Sequence, residues 1–211
     1  MNSNRPSKIV CVGRNYAAHA AELGNDVPKS PLIFLKPTSC LIEAGAPIVL
    51  PPESSHVEFE GEIGIVIGAR ARRVAQKDAA HFVRGIVAFN DVTARDLQKT
   101  DGQWTRAKGF DTFGPLGSEQ AYVGDWGALS VVTRLNGTER QRSRADLMAF
   151  SIPRLIEYIT GIMTLEPGDL IATGTPAGTA AIKAGDQVEV SIEAADGRVL
   201  SRVGNPVRAG E

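Results

Sequence analysis

Between Val57 and Ile67 the chain reads Val-Glu-Phe-Glu-Gly-Glu-Ile-Gly-Ile-Val-Ile. At the two-residue period of a strand, Glu58, Glu60 and Glu62 share one face while Val57, Phe59 and Ile63 take the other. Positions two apart on a strand lie roughly 7 Å from each other, so ionised glutamates in such a row repel unless a cation or an arginine stands between them. A solvated strand face is the ordinary alternative. Such faces usually mix Lys, Thr and Arg among their acids, and like charges side by side destabilise a sheet.

The rest of the chain is cut into short apolar runs by Gly, Pro and Asn. Strands are expected at Lys8–Val12, Leu32–Leu35, Ile48–Leu50, Gly85–Phe89 and Leu170–Ala172. Hairpins are expected around Asn136-Gly137, a strong two-residue turn signal, and around Asp196-Gly197. Helical patterns are few: Ala17–Leu23, with Asn15 as cap and Gly24 as stop; Gln76–Val83; and a helix after Ser151 ending at Gly161. The polar stretch Gln98–Phe113 reads as a long loop. Many strands, short helices and no βαβ rhythm predict one β-rich α+β domain over residues 1–211.

A net charge of −1 supplies no field for nucleic acid or an anionic membrane. The basic run at 70–73 lacks interleaved aromatics and reads as a solvated turn. No apolar run reaches the roughly 18 residues of a membrane span, and the N-terminus shows no apolar signal core, so a cytoplasmic protein is expected. Cys11 and Cys40 form no CxxC pattern and are expected to be free buried thiols.

Glu60, Glu62 and Asp91, the last at the exit of the strand Gly85–Phe89, supply only hard carboxylate oxygens. Such donors suit Mg2+, with Mn2+ or Ca2+ as substitutes, and disfavour zinc. Open coordination positions, together with Arg95, Lys108 and the Thr173-Gly174-Thr175-Pro176 loop, suit an anion that chelates through two oxygens, such as a 2-oxo acid. The loop also reads as an ordinary turn. His19 and Glu22, three apart on a short helix, face the same way and read either as a base with its orienting acid or as a surface ion pair. His56 and His81 are read as loop and structural residues.

Gly13-Arg14-Asn15-Tyr16 with His19 and Glu22, then Glu60-Gly61-Glu62, Asn90-Asp91-Val92-Thr93-Ala94-Arg95-Asp96, Lys108-Gly109-Phe110-Asp111 and Thr173-Gly174-Thr175-Pro176 occur in the order seen in the fumarylacetoacetate hydrolase family. The resemblance spans about Lys8 to Val207 and is nearest to the short acylpyruvate and fumarylpyruvate hydrolases. It implies a mixed-sheet β-roll with short peripheral helices, a homodimer, and Mg2+ on Glu60, Glu62 and Asp91 with waters completing the shell. It also implies a His19/Glu22 dyad on a mobile lid of about residues 14–31, and substrate contacts from Arg14, Asn15, Arg95, Gln98, Lys108 and Thr175. Glu58 matches no ligand.

The reaction implied is hydrolysis of the carbon–carbon bond of a 3-acylpyruvate, with His19 activating water and Lys108 stabilising the enolate. Decarboxylation of oxaloacetate or isomerisation of a 2-oxo-diene-dioate on the same site is the alternative. A metal-binding domain without catalysis would turn over no 2-oxo acid.

Overall fold

The computed structural model describes residues 5–22, 24–122 and 124–210. One five-stranded sheet contains β1 (Ile9–Gly13), β2 (Leu32–Lys36), β6 (Gly61–Ile67), β7 (Val83–Asn90) and β12 (Leu170–Ala172), in the order β2-β1-β12-β6-β7. Only the β1–β12 pairing in it is parallel. The second sheet contains β4 (Ile48–Leu50), β10 (Ser130–Leu135), β11 (Thr138–Arg144), β13 (Gln187–Glu193) and β14 (Val199–Ala209), in the order β11-β10-β13-β14-β4. Two small ladders, β3 (Leu41–Ile42) with β9 (Gly114–Pro115) and β5 (Val57–Glu58) with β8 (Thr93–Ala94), complete the mixed β-rich architecture.

The first sheet is covered on both faces. Val10, Ile63, Ile65 and Ile86 pack with Val131, Val190 and Ile192 of the second sheet and with Leu155, Ile156 and Ile159 of α4 (Ile152–Ile162). Ile9, Cys11, Val66, Val87 and Phe89 pack on the other side with Phe59, Val92 and Phe113. Double coverage explains why β6 continues as an unbroken apolar run after Glu62, since a strand buried on both faces need not alternate. Both cysteines are buried and free.

Three expectations are corrected. The acidic stretch is not one strand: it breaks at Phe59-Glu60, where side chains claim the backbone donors. Asn90 Oδ1 accepts from Glu60 N (3.0 Å) and Gln141 Oε1 accepts from Gly61 N (3.1 Å). Half of the Gln98–Phe113 loop is helical, with α2 (Arg95–Asp101) and α3 (Thr105–Lys108) separated by residues 102–104, where Gly102 takes a positive φ (66°).

Asn15 caps nothing. It is buried, and its amide bonds Phe150 O, Thr173 O and Phe150 N, stapling the start of α1 (Ala17–Glu22) to distant segments. The last residue of that expected helix, Leu23, lies outside the described residues. The Asn136-Gly137 hairpin forms as expected, both residues at positive φ (52° and 80°). His81 is exposed at the end of a short 3-10 helix.

Candidate metal centre and cavity

The breaks in the acidic stretch place its carboxylates. Ligand oxygens of Glu60, Glu62 and Asp91 lie within 4.8 Å of one another, and all three residues are buried. Glu58 and Glu60 converge on one guanidinium: Arg95 Nε and Nη2 donate to Glu58 Oε2 (2.9 and 2.7 Å), and Nη2 also donates to Glu60 Oε1 (2.6 Å). Arg95 Nη1 donates to Gln98 Oε1 (2.5 Å).

Lys108 Nζ donates to Glu60 Oε2, Asp91 Oδ2 and Thr93 Oγ1 at 2.7–2.8 Å. An ammonium has three protons, and these contacts use all of them. Lys108 holds two of the acids together, and the expected contact with a substrate oxygen would have to draw on one of these three protons.

Lys36, at the end of β2, was not singled out in the sequence. Its fully buried Nζ donates to Asp91 Oδ1 (2.6 Å) and Phe113 O (2.8 Å). A lysine ending an apolar strand, followed by proline, was the available signal.

The charges do not balance evenly. Burial opposes ionisation of Glu60, but Lys108 and Arg95 outweigh it and hold that carboxyl well below the usual range. Glu62 goes the other way, pushed well up by burial and by the Asp91 and Glu60 carboxylates. Its Oε2 accepts from Gly174 N (2.8 Å), and it has no ion-pair partner among the described residues. Burial depresses Lys108, and Asp91 and Glu60 reverse this, so its pKa is raised.

An oxygen-only donor set with an uncompensated carboxylate fits a divalent cation. Each carboxylate oxygen that is already bonded once keeps a second lone pair. Glu60, Glu62 and Asp91 could hold such an ion.

The cluster opens into a cavity of about 670 Å3, whose wall includes Arg14, His19, Arg95, Gln98, Lys108 and Thr175. His19 Nδ1 lies 3.2 Å from Glu22 Oε2, on the helix face that the spacing predicts. Arg14 (φ 58°) takes a left-handed conformation uncommon for a non-glycine residue and has no carboxylate partner among the described residues. Thr175 points its hydroxyl inward to Gly61 O (2.9 Å), and Asn15 lies off the cavity wall. His56 pairs with Glu58 (2.9 Å) and is not among the grouped ligands Glu60, Glu62 and Asp91.

Sequence reasoning also missed Phe34 and Trp104, whose rings meet edge-on at 5.1 Å on the cavity wall. A Cβ on Gly13 would come 2.6 Å from the Trp104 ring, so the glycine makes room for it.

Two mixed sheets, a buried cluster of three carboxylates that could hold a divalent cation, and a histidine–glutamate pair beside the same cavity define a β-roll with a candidate metal centre. The chain belongs to the fumarylacetoacetate hydrolase family: the model of its C-terminal domain matches residues 8–207. The chain is 42% identical over 195 residues to the mitochondrial oxaloacetate tautomerase of Caenorhabditis elegans, covering 90% of this chain and 91% of that protein. It is 42% identical over 196 residues to the mitochondrial oxaloacetate decarboxylase of Dictyostelium discoideum, covering 90% of each.

Fumarylpyruvate hydrolase from Pseudomonas aeruginosa, solved with Mn2+ and pyruvate, superposes with a TM-score of 0.89 at 30% identity, over 97% of this chain and 91% of that one. Members of the family are enzymes. No helix among the described residues is long and apolar enough to cross a membrane. Since two of these relatives are mitochondrial, the cytoplasmic expectation stays an expectation.

Proposed function

We propose that this chain is a divalent-metal-dependent enzyme acting on the enol or enolate form of a 2-oxo acid, with oxaloacetate tautomerisation or decarboxylation as its reaction. The observation that carries the reading is the buried triad with one uncompensated carboxylate, facing a histidine–glutamate dyad across a single cavity. The 42% identical relatives support the substrate.

A bound Mg2+, or Mn2+ or Ca2+ in its place, would supply Lewis-acid polarisation of the 1-carboxylate and 2-oxo oxygens. The chain's own residues do the rest. Glu22 engages His19 Nδ1 and so fixes the tautomer, leaving Nε2 as the nitrogen that takes a proton from C3 or returns it. Lys108, Lys36 and Arg95 hold Glu60 and Asp91 in place, and Arg14 offers its guanidinium to a substrate carboxylate. Residues 14–31 close over the cavity and shed water.

Hydrolysis of a 3-acylpyruvate such as fumarylpyruvate is the second reading. It is favoured by the same dyad, with Nε2 activating water, and by the Mn2+ and pyruvate complex of the relative. The working assembly is proposed to be a homodimer, supported by exposed apolar residues such as Leu32 and Leu35 on edge strand β2, and light scattering of the purified protein tests it.

The function is tested by presenting enol-oxaloacetate, oxaloacetate, fumarylpyruvate and acetylpyruvate with Mg2+, with Mn2+ and with a chelator, followed by ultraviolet absorbance and proton NMR. Metal-dependent loss of the enol or of CO2 supports the first reading, and pyruvate with a carboxylic acid supports the second. No turnover of any of the four overturns both.

A further inference from the structure

β11 is an exposed edge strand, and Gln141 is its single buried residue, with 1% of its surface exposed. A buried amide must find partners, and this one finds them outside its own sheet. Gln141 Nε2 donates to Thr175 Oγ1 (2.8 Å) and Pro176 O (2.7 Å), and its Oε1 accepts from Gly61 N (3.1 Å), between the metal-site acids Glu60 and Glu62. Three of the four bonds an amide can make are thus spent fastening the 173–178 loop to the acidic stretch.

That loop carries two backbone donors into the site. Gly174 N donates to Glu62 (2.8 Å), and Gly178 N lies 3.3 Å from both oxygens of Glu22. The next contact is equally tight: a Cβ on Gly178 (φ 100°) would come 2.2 Å from the Arg140 carbonyl oxygen. The neighbour of Gln141 is therefore the surface on which the far end of the loop rests. Gln141 itself does not line the cavity.

We propose that Gln141 is a positioning residue: through the 173–178 loop it sets where the Gly178 amide meets Glu22, and so fixes the His19–Glu22 dyad from the opposite sheet. The kinetic side of this rests on the dyad having the role proposed above. The structural side does not, so the test has two arms.

In the first arm, backbone hydrogen exchange is compared between wild type, Gln141→Met, Glu22→Gln and the double variant. Gln141→Met is expected to speed exchange at least tenfold in α1 and the 173–178 loop, with β10 and β13 unchanged. Adding it to Glu22→Gln is expected to alter α1 by less than twofold. Uniform acceleration across the second sheet, or unchanged α1, overturns the proposal.

In the second arm, with whichever 2-oxo acid is turned over, Gln141→Met is expected to lower kcat at least tenfold with KM within threefold, and to lower it less than twofold in the Glu22→Gln background. Independent, multiplicative losses overturn the proposal. If no substrate is found, the exchange arm still decides. Should the methionine variant not fold, Gln141→Glu, which keeps the shape and the acceptor for Gly61 N, goes through the same comparison.

Discussion

All four oxygens of Glu60 and Asp91 have a lysine or arginine nitrogen within 2.8 Å, supplied by Lys36, Lys108 and Arg95. On the same cavity, His19 sits with Glu22 on a six-residue helix, and the Glu22 side chain, 39% exposed, is held by His19 Nδ1 (3.2 Å) and by Gly178 N, 3.3 Å from both its oxygens. Helices of that length do not hold themselves together. Glu60 and Asp91, at strand ends, are fixed by buried charge pairs, Glu62 by its strand and the Gly174 amide, and the dyad by a few contacts near the surface. A centre that keeps a cation needs the first kind of support, and a group that must admit substrate and then exclude water needs the second.

Removing one partner from each region sharpens the contrast. Lys108→Met leaves Glu60 and Asp91 short of a buried cation, and the expected loss is ~3–5 kcal/mol of stability, as when a buried pair is broken. Urea unfolding of the metal-free protein reads it, and a loss below about 1 kcal/mol would mean the cluster is not held as described. His19→Ala should behave oppositely, with stability and Mn2+ affinity near wild type while turnover falls about 10²–10⁴-fold, the usual worth of a positioned acid or base. Calorimetric Mn2+ titration and steady-state rates separate the two, and wild-type turnover would remove the dyad from the reaction.

Glu62 tests why the tightly held region stays incomplete without a cation. Its folded pKa is raised by burial and by Asp91 and Glu60, so the native state keeps its proton where the unfolded chain has lost it. That contribution is present below the unfolded value of about 4.3 and is lost as pH rises through the folded one. Glu62→Gln is therefore expected to stabilise the metal-free protein at pH 8 relative to wild type, with little change at pH 4, while abolishing Mn2+ binding. Thermal melts at the two pH values check this, and a variant less stable than wild type at pH 8 would break it.

These two regions were not equally legible in the sequence. Glu60 and Glu62 announced themselves because a solvated face seldom repeats glutamate at period two without a cation, Asp91 because it stands at a strand exit, and His19/Glu22 because i,i+3 spacing survives in any helix. That cations hold the acids together was not legible. Arg95 and Lys108 looked like substrate groups because a sequence shows charge but not which partner is nearest, and Lys36 lies 55 residues from Asp91, whose carboxylate it meets.

Gln141 was invisible for the same reason: its partners at 61, 175 and 176 lie on a strand of the other sheet and in the 173–178 loop, far away in the chain. The hairpin at Asn136-Gly137 was read correctly because its chemistry is local. The acidic stretch was read as one strand because propensity cannot foresee that Asn90 and Gln141 take its backbone bonds.

The smallest expected effect falls where α2 begins. Asp96 accepts from Ser54 Oγ (2.6 Å), Ser55 N (2.9 Å) and Leu97 N (2.9 Å), tying the turn before Glu58 to the helix that carries Arg95. Burial raises its pKa slightly, but the Ser54 hydroxyl and the Ser55 and Leu97 amides outweigh this and bring it to about 2. A lowered folded pKa gives stability that is present above the unfolded value and lost as pH falls toward 2. The side chain is partly in water, so Asp96→Ala is expected to cost only ~0.5–1 kcal/mol at pH 7, the scale of a helix-start cap, and less at pH 3. If the Arg95–Glu58 pair depends on this tie, the same variant weakens Mn2+ binding a few-fold while leaving α1 exchange untouched; faster α1 exchange would mean that the rigid and mobile halves of the site are coupled through α2 and not only through the 173–178 loop.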